Sequence, residues 1–205
     1  MSKLAPAHVA FLSGSFIRVG DPIPGSQISA DASLTVGAVN VTSFLTKFAS
    51  INNIVQAGIW IDSQASGTNG GTFTSGAWRT RVLNTAAVNA IAGASLASNE
   101  VTLPAGTFLA FFAAPARNVN AHAAQLYNVT SAAVLARGCN ASSSSTTVDD
   151  SANTSWGVAG FTLAAPAALT VRHRCQTTAN NTGFGSACSF GDTETYSQLM
   201  ILRTA

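Results

Sequence analysis

The chain has 205 residues and a net charge of +2, with 47% hydrophobic but only 9% charged residues. So many apolar and so few charged residues exclude a disordered chain, and the length suffices for one large all-β domain with an arm. There is no basic run to release phosphate counterions, so no nucleic-acid partner is expected. No apolar stretch approaches the roughly 20 residues of a membrane helix, so no membrane insertion is expected either.

The first twelve residues have a little apolar character, interrupted by Pro6 and His8, and no targeting segment is expected there. Residues 1–53 read as an arm. Gly20-Asp21-Pro22-Ile23-Pro24-Gly25 is strong loop punctuation. The stretch from Ser33 to Lys47 alternates enough for one or two strands, or a short helix near Phe44–Phe48. The region is too small for a stable core of its own, and it lacks the heptads of a coiled coil.

From Ile54 onward, short apolar runs alternate with turn chemistry at the spacing of a sandwich or barrel. Strands are expected over 54–61, 77–84, 107–114, 123–129, 133–137, 156–163, 169–175 and 194–203. Gly-rich Ser66–Gly71 ends the first of them, and Pro104-Ala105-Gly106 is a turn signal before the third. About eight strands is the number a double-sheet jelly roll uses. Ser/Thr-rich 141–155 and Asn-rich 177–189 are expected as exposed loops. The strand after Gly106 is apolar on both faces, with Phe108, Ala110 and Phe112 on one and Leu109 and Phe111 on the other. One face can fill a sandwich core. The other is an exposed aromatic patch unless copies of the chain bury it against each other.

Several phrases occur in order: Gly70-Gly71-Thr72-Phe73-Thr74-Ser75-Gly76-Ala77-Trp78-Arg79-Thr80-Arg81, Leu83-Asn84-Thr85, Thr102-Leu103-Pro104-Ala105-Gly106-Thr107-Phe108, His122–Thr130, Gly160-Phe161-Thr162-Leu163 and Tyr196–Ile201. Together they resemble the C-terminal tip domains of bacteriophage tail-fibre and related virion proteins, a group similar to the C1q/TNF-type trimeric jelly roll. The resemblance covers 54–205. It departs from the pattern around His122, where alanines stand for basic side chains, and at Val82, which stands for an acidic one.

The resemblance implies a C1q/TNF-like jelly-roll sandwich in residues 54–205 and a homotrimer. It places Leu109, Phe111, Trp156, Tyr196, Gln198 and Met200 on the face that meets the three-fold axis, with Phe108, Phe112, Leu199 and Ile201 in the sandwich. It further implies a structural virion protein of the tail-fibre type, made in the bacterial host cytoplasm. Residues 1–53 would dock on another virion protein, a tail adaptor or the capsid, and the tip would contact a host cell-surface glycan or protein. The alternative is a capsid-decorating or head-fibre protein. The Asn-, Ser- and Gly-rich loops fit recognition and inert connection equally.

No chemistry-bearing motif competes with this reading. His8, His122 and His173 share no zinc spacing, so no cofactor or metal is expected. Alternation sends His173 and Cys175 to one face of a strand, without the motif of a Cys–His nucleophile. Asp149 and Asp150 form an acidic pair, but in a loop and not on the rigid elements a glycosidase needs. No phosphate loop, nucleophile elbow or His-Glu-x-x-His helix is present, and no enzymatic activity is expected. Three cysteines, Cys139, Cys175 and Cys188, do not make a disulfide framework, although a single pair is left open.

Overall fold

The structure, a computed structural model, describes residues 56–144 and 151–204 in full and, before them, the backbone of four short strands. The chain divides into two compact units, 1–54 and 55–205. In the first, β1 (His8–Leu12) pairs with β2 (Ser15–Arg18), and β3 (Thr35–Val36) with β4 (Val39–Asn40), both antiparallel. The helix considered near Phe44–Phe48 lies outside the described residues, as do Asp149 and Asp150.

The second unit is all-β among its described residues. Its strands are β5 (Gln56–Gln64), β6 (Arg79–Thr80), β7 (Thr85–Asn89), β8 (Ser95–Ala97), β9 (Glu100–Leu103), β10 (Gly106–Arg117), β11 (Asn120–Asn128), β12 (Ala133–Arg137), β13 (Ala141–Ser143), β14 (Ala152–Leu163), β15 (Ala167–Cys175) and β16 (Glu194–Arg203). They form a five-stranded sheet in the order β14-β10-β16-β5-β7 and a seven-stranded sheet built on β12-β11-β15-β9-β8. Strands β13 and β6 extend the second sheet by pairing with β11 and β15. The principal strands β5, β10, β14 and β16 of one sheet and β9, β11, β12 and β15 of the other follow the double Greek-key path of a jelly roll.

Period-2 alternation builds the core between the sheets. Trp60, Phe108, Phe112, Leu199 and Ile201 come from the five-stranded side; Val101, Leu103, Leu126, Leu169 and Val171 come from the seven-stranded side. Two glycines admit the large rings. A Cβ on Gly58 would fall 2.1 Å from the Trp60 ring, and one on Gly157 would fall 2.4 Å from the Phe112 ring. A smaller satellite cluster of Phe73, Ala116, Val119, Cys175 and Ala179, with Phe184 against it, closes one end.

Two expectations are corrected, and one element is added. The strand expected over 77–84 is instead a crossover: Arg81 N–H bonds the Val171 carbonyl on the seven-stranded sheet, and Asn84 N–H bonds Ile61 on the five-stranded one. A segment that serves both sheets has an alternating pattern but no continuous ladder. The loop expected over 141–155 is shorter, because β13 and the start of β14 occupy its two ends. Finally, β8 and β9 form a tight hairpin, since Ser98 and Asn99 both take positive φ (52° and 65°) and Ala97 pairs Glu100. That is the conformation a two-residue type I′ turn requires.

Candidate assembly face

The outward face of the five-stranded sheet gathers side chains from all five strands. Antiparallel register sets Val158, Phe111, Met200, Ile59 and Val88 in one row across β14, β10, β16, β5 and β7. The next row is Trp156, Ala113, Gln198, Ile61 and Thr85. On the other side of the first row lie Gly160, Leu109, Leu202 and Ala57. Five strands at about 4.8 Å spacing make such a row about 19 Å across.

The face is open. Trp156 is 59% exposed, Val158 44% and Phe111 37%. A shallow cleft of about 300 Å³ runs between Phe111, Trp156, Gln198, Met200 and Ile59. No charged side chain stands in the two main rows, and Gln198 and Thr85 are their polar members. Large aromatic groups sit on β10 and β14, whereas aliphatic ones sit on β5 and β7. A contiguous apolar surface of this kind is unusual on a monomer and marks an interaction surface.

Five of the six residues expected on this face, Leu109, Phe111, Trp156, Gln198 and Met200, lie on it together. Tyr196 does not. It is 5% exposed, and its hydroxyl donates to the Thr68 carbonyl at 2.7 Å. The reason is a β-bulge: Thr195 pairs Ser63 and Gln198 pairs Ile61, so Tyr196 and Ser197 together oppose Asp62 alone. The extra residue turns Tyr196 and Ser197 both inward, and counting by twos back from Met200 fails there. Sequence reasoning also missed Ile59, Val88 and Val158. The alternation of Ile59 and Ile61 with Trp60 carried the signal for β5, but β7 is exposed along its whole length and offers no alternation to read.

The outward face of the seven-stranded sheet differs. There Arg137, Gln125, Arg172 and Thr80 form a row across β12, β11, β15 and β6. The Arg172 guanidinium lies 3.5 Å over the Tyr127 ring and that of Arg137 lies 4.6 Å over Trp78, favourable cation–π contacts.

Polar groups also lie inside the sandwich. Arg81 is 1% exposed; its guanidinium donates to the Pro115 carbonyl at 3.0 Å and to that of Phe184 at 2.9 Å, and rests on the Phe184 ring. Burial pulls its pKa down to about 9, against the opposing attraction of Asp62. His122 Nδ1 and His173 Nε2 are 2.9 Å apart and share a hydrogen bond. Burial, then the Arg81 charge, lowers their pKa values to about 4 and about 2, so both rings are neutral at pH 7.

Beside them the Cys175 thiol donates to the Phe73 carbonyl, and burial pushes its pKa up to about 11. A protonated buried thiol is a poor nucleophile. All three cysteines are free. Among the described residues no group of three or more His, Cys, Asp or Glu side chains could hold a metal ion. Glu194 pins the segment before β16 by accepting from the backbone N–H groups of Gly67, Cys188 and Ser189, and those bonds hold its carboxyl below the usual range.

No protein-family model and no curated protein matches this chain. Among solved structures it is similar to an insect TNF, Eiger from S. frugiperda, at 16% identity and a TM-score of 0.47, covering 74% of this chain and 94% of that one. It is also similar to the globular domain of zebrafish complement 1qA, at 13% identity and a TM-score of 0.46, covering 73% and 97%. Murine APRIL gives 11% identity and a TM-score of 0.45 over 73% of this chain and 97% of that one.

Proposed function

We propose that this chain is a non-enzymatic, self-associating structural protein of a bacteriophage virion, of the tail-fibre type. In this reading its jelly roll trimerises through the outer face of the five-stranded sheet. The observation that carries the reading is the apolar row Val158–Phe111–Met200–Ile59–Val88, which spans the whole sheet. Covering such a row in water is favourable at about 25 cal/mol per Å² of apolar area. The face is also lopsided, aromatic toward β14 and aliphatic toward β7. Packing the aromatic part of one copy on the aliphatic part of the next is a heterologous contact, and a heterologous contact that closes makes a ring. The ordered series of phrases from Gly70 to Ile201 supports three as the number of copies and the virion as the place. Residues 1–53 would then dock on another virion protein, and the jelly roll would meet the host surface.

Two measurements test this. Light scattering on the full chain should return three times the 20.8 kDa chain mass; a stable monomer or dimer overturns the trimer. An antibody against the chain, imaged on intact particles, should label the tail. Label on the capsid shell would instead establish a decorating role, and no label on particles would end the virion reading.

A further inference from the structure

A second concave site lies away from the assembly face. It is a groove of about 700 Å³ on the seven-stranded sheet, bordered by Trp78, Asn140, Arg174 and Gln176 and floored by Ala121 and Ala123. Strand pairing makes it. Residue Ala123 pairs Arg174, His122 pairs both Cys175 and Ala141, and Arg79 pairs His173. These pairings bring Asn140, just before β13, and Trp78, just before β6, to the two sides of the alanine floor. Because the floor side chains are methyl groups, nothing of the protein's own fills the space.

The chemistry of the border is specific. Arg79 spends its guanidinium on the carbonyls of Thr74 and Ser75, while Arg137 and Arg172 lie on Trp78 and Tyr127. Arg174 alone of these four arginines is exposed with no hydrogen bond, ion pair or ring contact among the described residues. Among the described residues no acidic side chain lines the groove. The Gln176 side-chain oxygen accepts from the Ala121 N–H at 3.4 Å, which leaves its NH₂ for other partners, and the Asn140 side chain has no hydrogen bond among the described residues.

We propose that this groove binds a carboxylate-bearing sugar, its carboxylate on Arg174 and its ring against Trp78 with hydroxyls on the Asn140 and Gln176 amides. A guanidinium fork matches a carboxylate in two parallel hydrogen bonds. Amides offer both donor and acceptor to a hydroxyl. An aromatic wall with a few placed polar groups and a volume of several hundred Å³ suits a ligand of one or two sugar rings. One free cation on a floor of alanines matches one negative charge. It does not match the row of phosphates of a nucleic acid, which needs several. The inference gives a ligand class to the host-contact role proposed above and rests on that reading for its biological use, but binding is measured independently of it.

The test uses the full chain with D-glucuronic acid, D-galacturonic acid and N-acetylneuraminic acid as probes, against glucose and galactose, followed by ligand-observed NMR. At least one acidic sugar should bind, and more tightly than its neutral counterpart. Arg174→Ala should weaken it by about tenfold or more, and Arg174→Lys should not restore it, because the bidentate geometry is lost. Trp78→Ala should weaken acidic and neutral sugars alike. An acidic peptide and a short single-stranded oligonucleotide serve as rival probes. Failure of all three acidic sugars, binding that Arg174→Ala leaves unchanged, or tighter Arg174-dependent binding of either rival overturns the proposal. Light scattering and thermal melting of each variant separate this from assembly: a groove that fails in an intact trimer leaves the assembly reading standing, and binding by a monomer does the reverse.

Discussion

On the five-stranded sheet the outward positions in the middle of β10 and β14 include Leu109, Phe111, Ala113, Trp156 and Val158, with threonines toward the strand ends; on the seven-stranded sheet those of β11 and β15 include Ala123, Gln125, Tyr127, Thr170, Arg172 and Arg174. Both sets arise from the same two-residue period, and both are backed by the same core. The difference lies in how each face meets water. The guanidinium groups of Arg172 and Arg137 lie over one face each of Tyr127 and Trp78, so the second face sets charge beside its aromatic rings. Phe111 and Trp156 have no such cover. One face carries charge over its rings and the other is bare and apolar, and that contrast is what the proposed assembly rests on.

The strongest way to break the comparison is to give the bare face a charge. Phe111→Asp should convert the assembly to folded monomers, because a carboxylate from every copy would be carried into a dry contact at a large desolvation cost. Truncation of a central interface aromatic alone often costs about 2 kcal/mol or more. The monomer itself should survive, since Phe111 is 37% exposed within one chain. The matched change on the other face, Arg172→Ala, should leave the mass untouched and cost under about 1 kcal/mol, the range of an exposed cation–π contact. If light scattering shows both variants assembled, the wrong face has been assigned.

Next in size is Arg81→Ala, which tests the interior that both faces share. It strips partners from the Pro115 and Phe184 carbonyls and leaves a cavity against the Phe184 ring. Each half-buried acceptor left without its partner costs toward the lower part of about 1–3 kcal/mol, and the cavity adds to it, so a loss of about 3 kcal/mol is expected in urea melts of the monomeric Phe111→Asp background. A loss below 1 kcal/mol would mean the buried guanidinium is offset by the desolvation it no longer suffers.

The histidine pair predicts an acid limb to stability. Both rings titrate below their usual 6.5 when folded, at about 4 for His122 and about 2 for His173. As pH falls from 6.5 toward 4, the unfolded chain takes up protons that the folded chain refuses. Stability must therefore fall with pH through that window, by up to about 1.4 kcal/mol per pH unit for each histidine. Below the usual 4.5 of a glutamate, the depressed Glu194 carboxyl adds a further loss. Urea melts at pH 6.5, 5.5 and 4.7 should show the slope, and His122→Leu/His173→Leu should flatten it. An unchanged slope in the double variant would move the effect elsewhere.

These expectations show what the sequence alone could carry. The inward Phe108 and Phe112 and the outward Leu109 and Phe111 follow from counting by twos from Gly106, because β10 runs regularly through twelve residues. The same counting gives Leu199, Ile201 and Met200 correctly. It cannot see where a strand slips. Nothing in Glu194-Thr195-Tyr196-Ser197-Gln198 announces a bulge, whose partners, Asp62 across the ladder and the Val82 carbonyl that accepts from the Ser197 hydroxyl, are distant in sequence. Trp78-Arg79-Thr80-Arg81 alternates like a strand, yet Arg81 is buried beneath carbonyls from distant segments, Pro115 and Phe184. Local pattern carries faces and periods; long-range partners decide crossovers, bulges and buried charge. The groove of Trp78 and Arg174 is illegible for the same reason, since its border and floor come from the ends of four strands, β6, β11, β13 and β15.

The smallest effect discriminates the side of Tyr196. With the bulge in place, its hydroxyl reaches the Thr68 carbonyl at 2.7 Å and its ring packs over Gly185, where a Cβ would fall 2.3 Å from the ring. Gly185 also takes φ +138°, a conformation that suits glycine. Tyr196→Phe keeps the ring and removes only the hydrogen bond, so it should cost about 1 kcal/mol in monomer stability and leave the trimer mass and its dissociation by dilution unchanged. Had the strand run without its bulge, Tyr196 would stand beside Gln198 and Met200 on the assembly face. The same variant would then shift trimer dissociation and spare the monomer. The two outcomes fall on different measurements, a urea melt and a dilution series. A loosened trimer with an unaltered melt would place Tyr196 back on the outer face and remove the bulge from the fold.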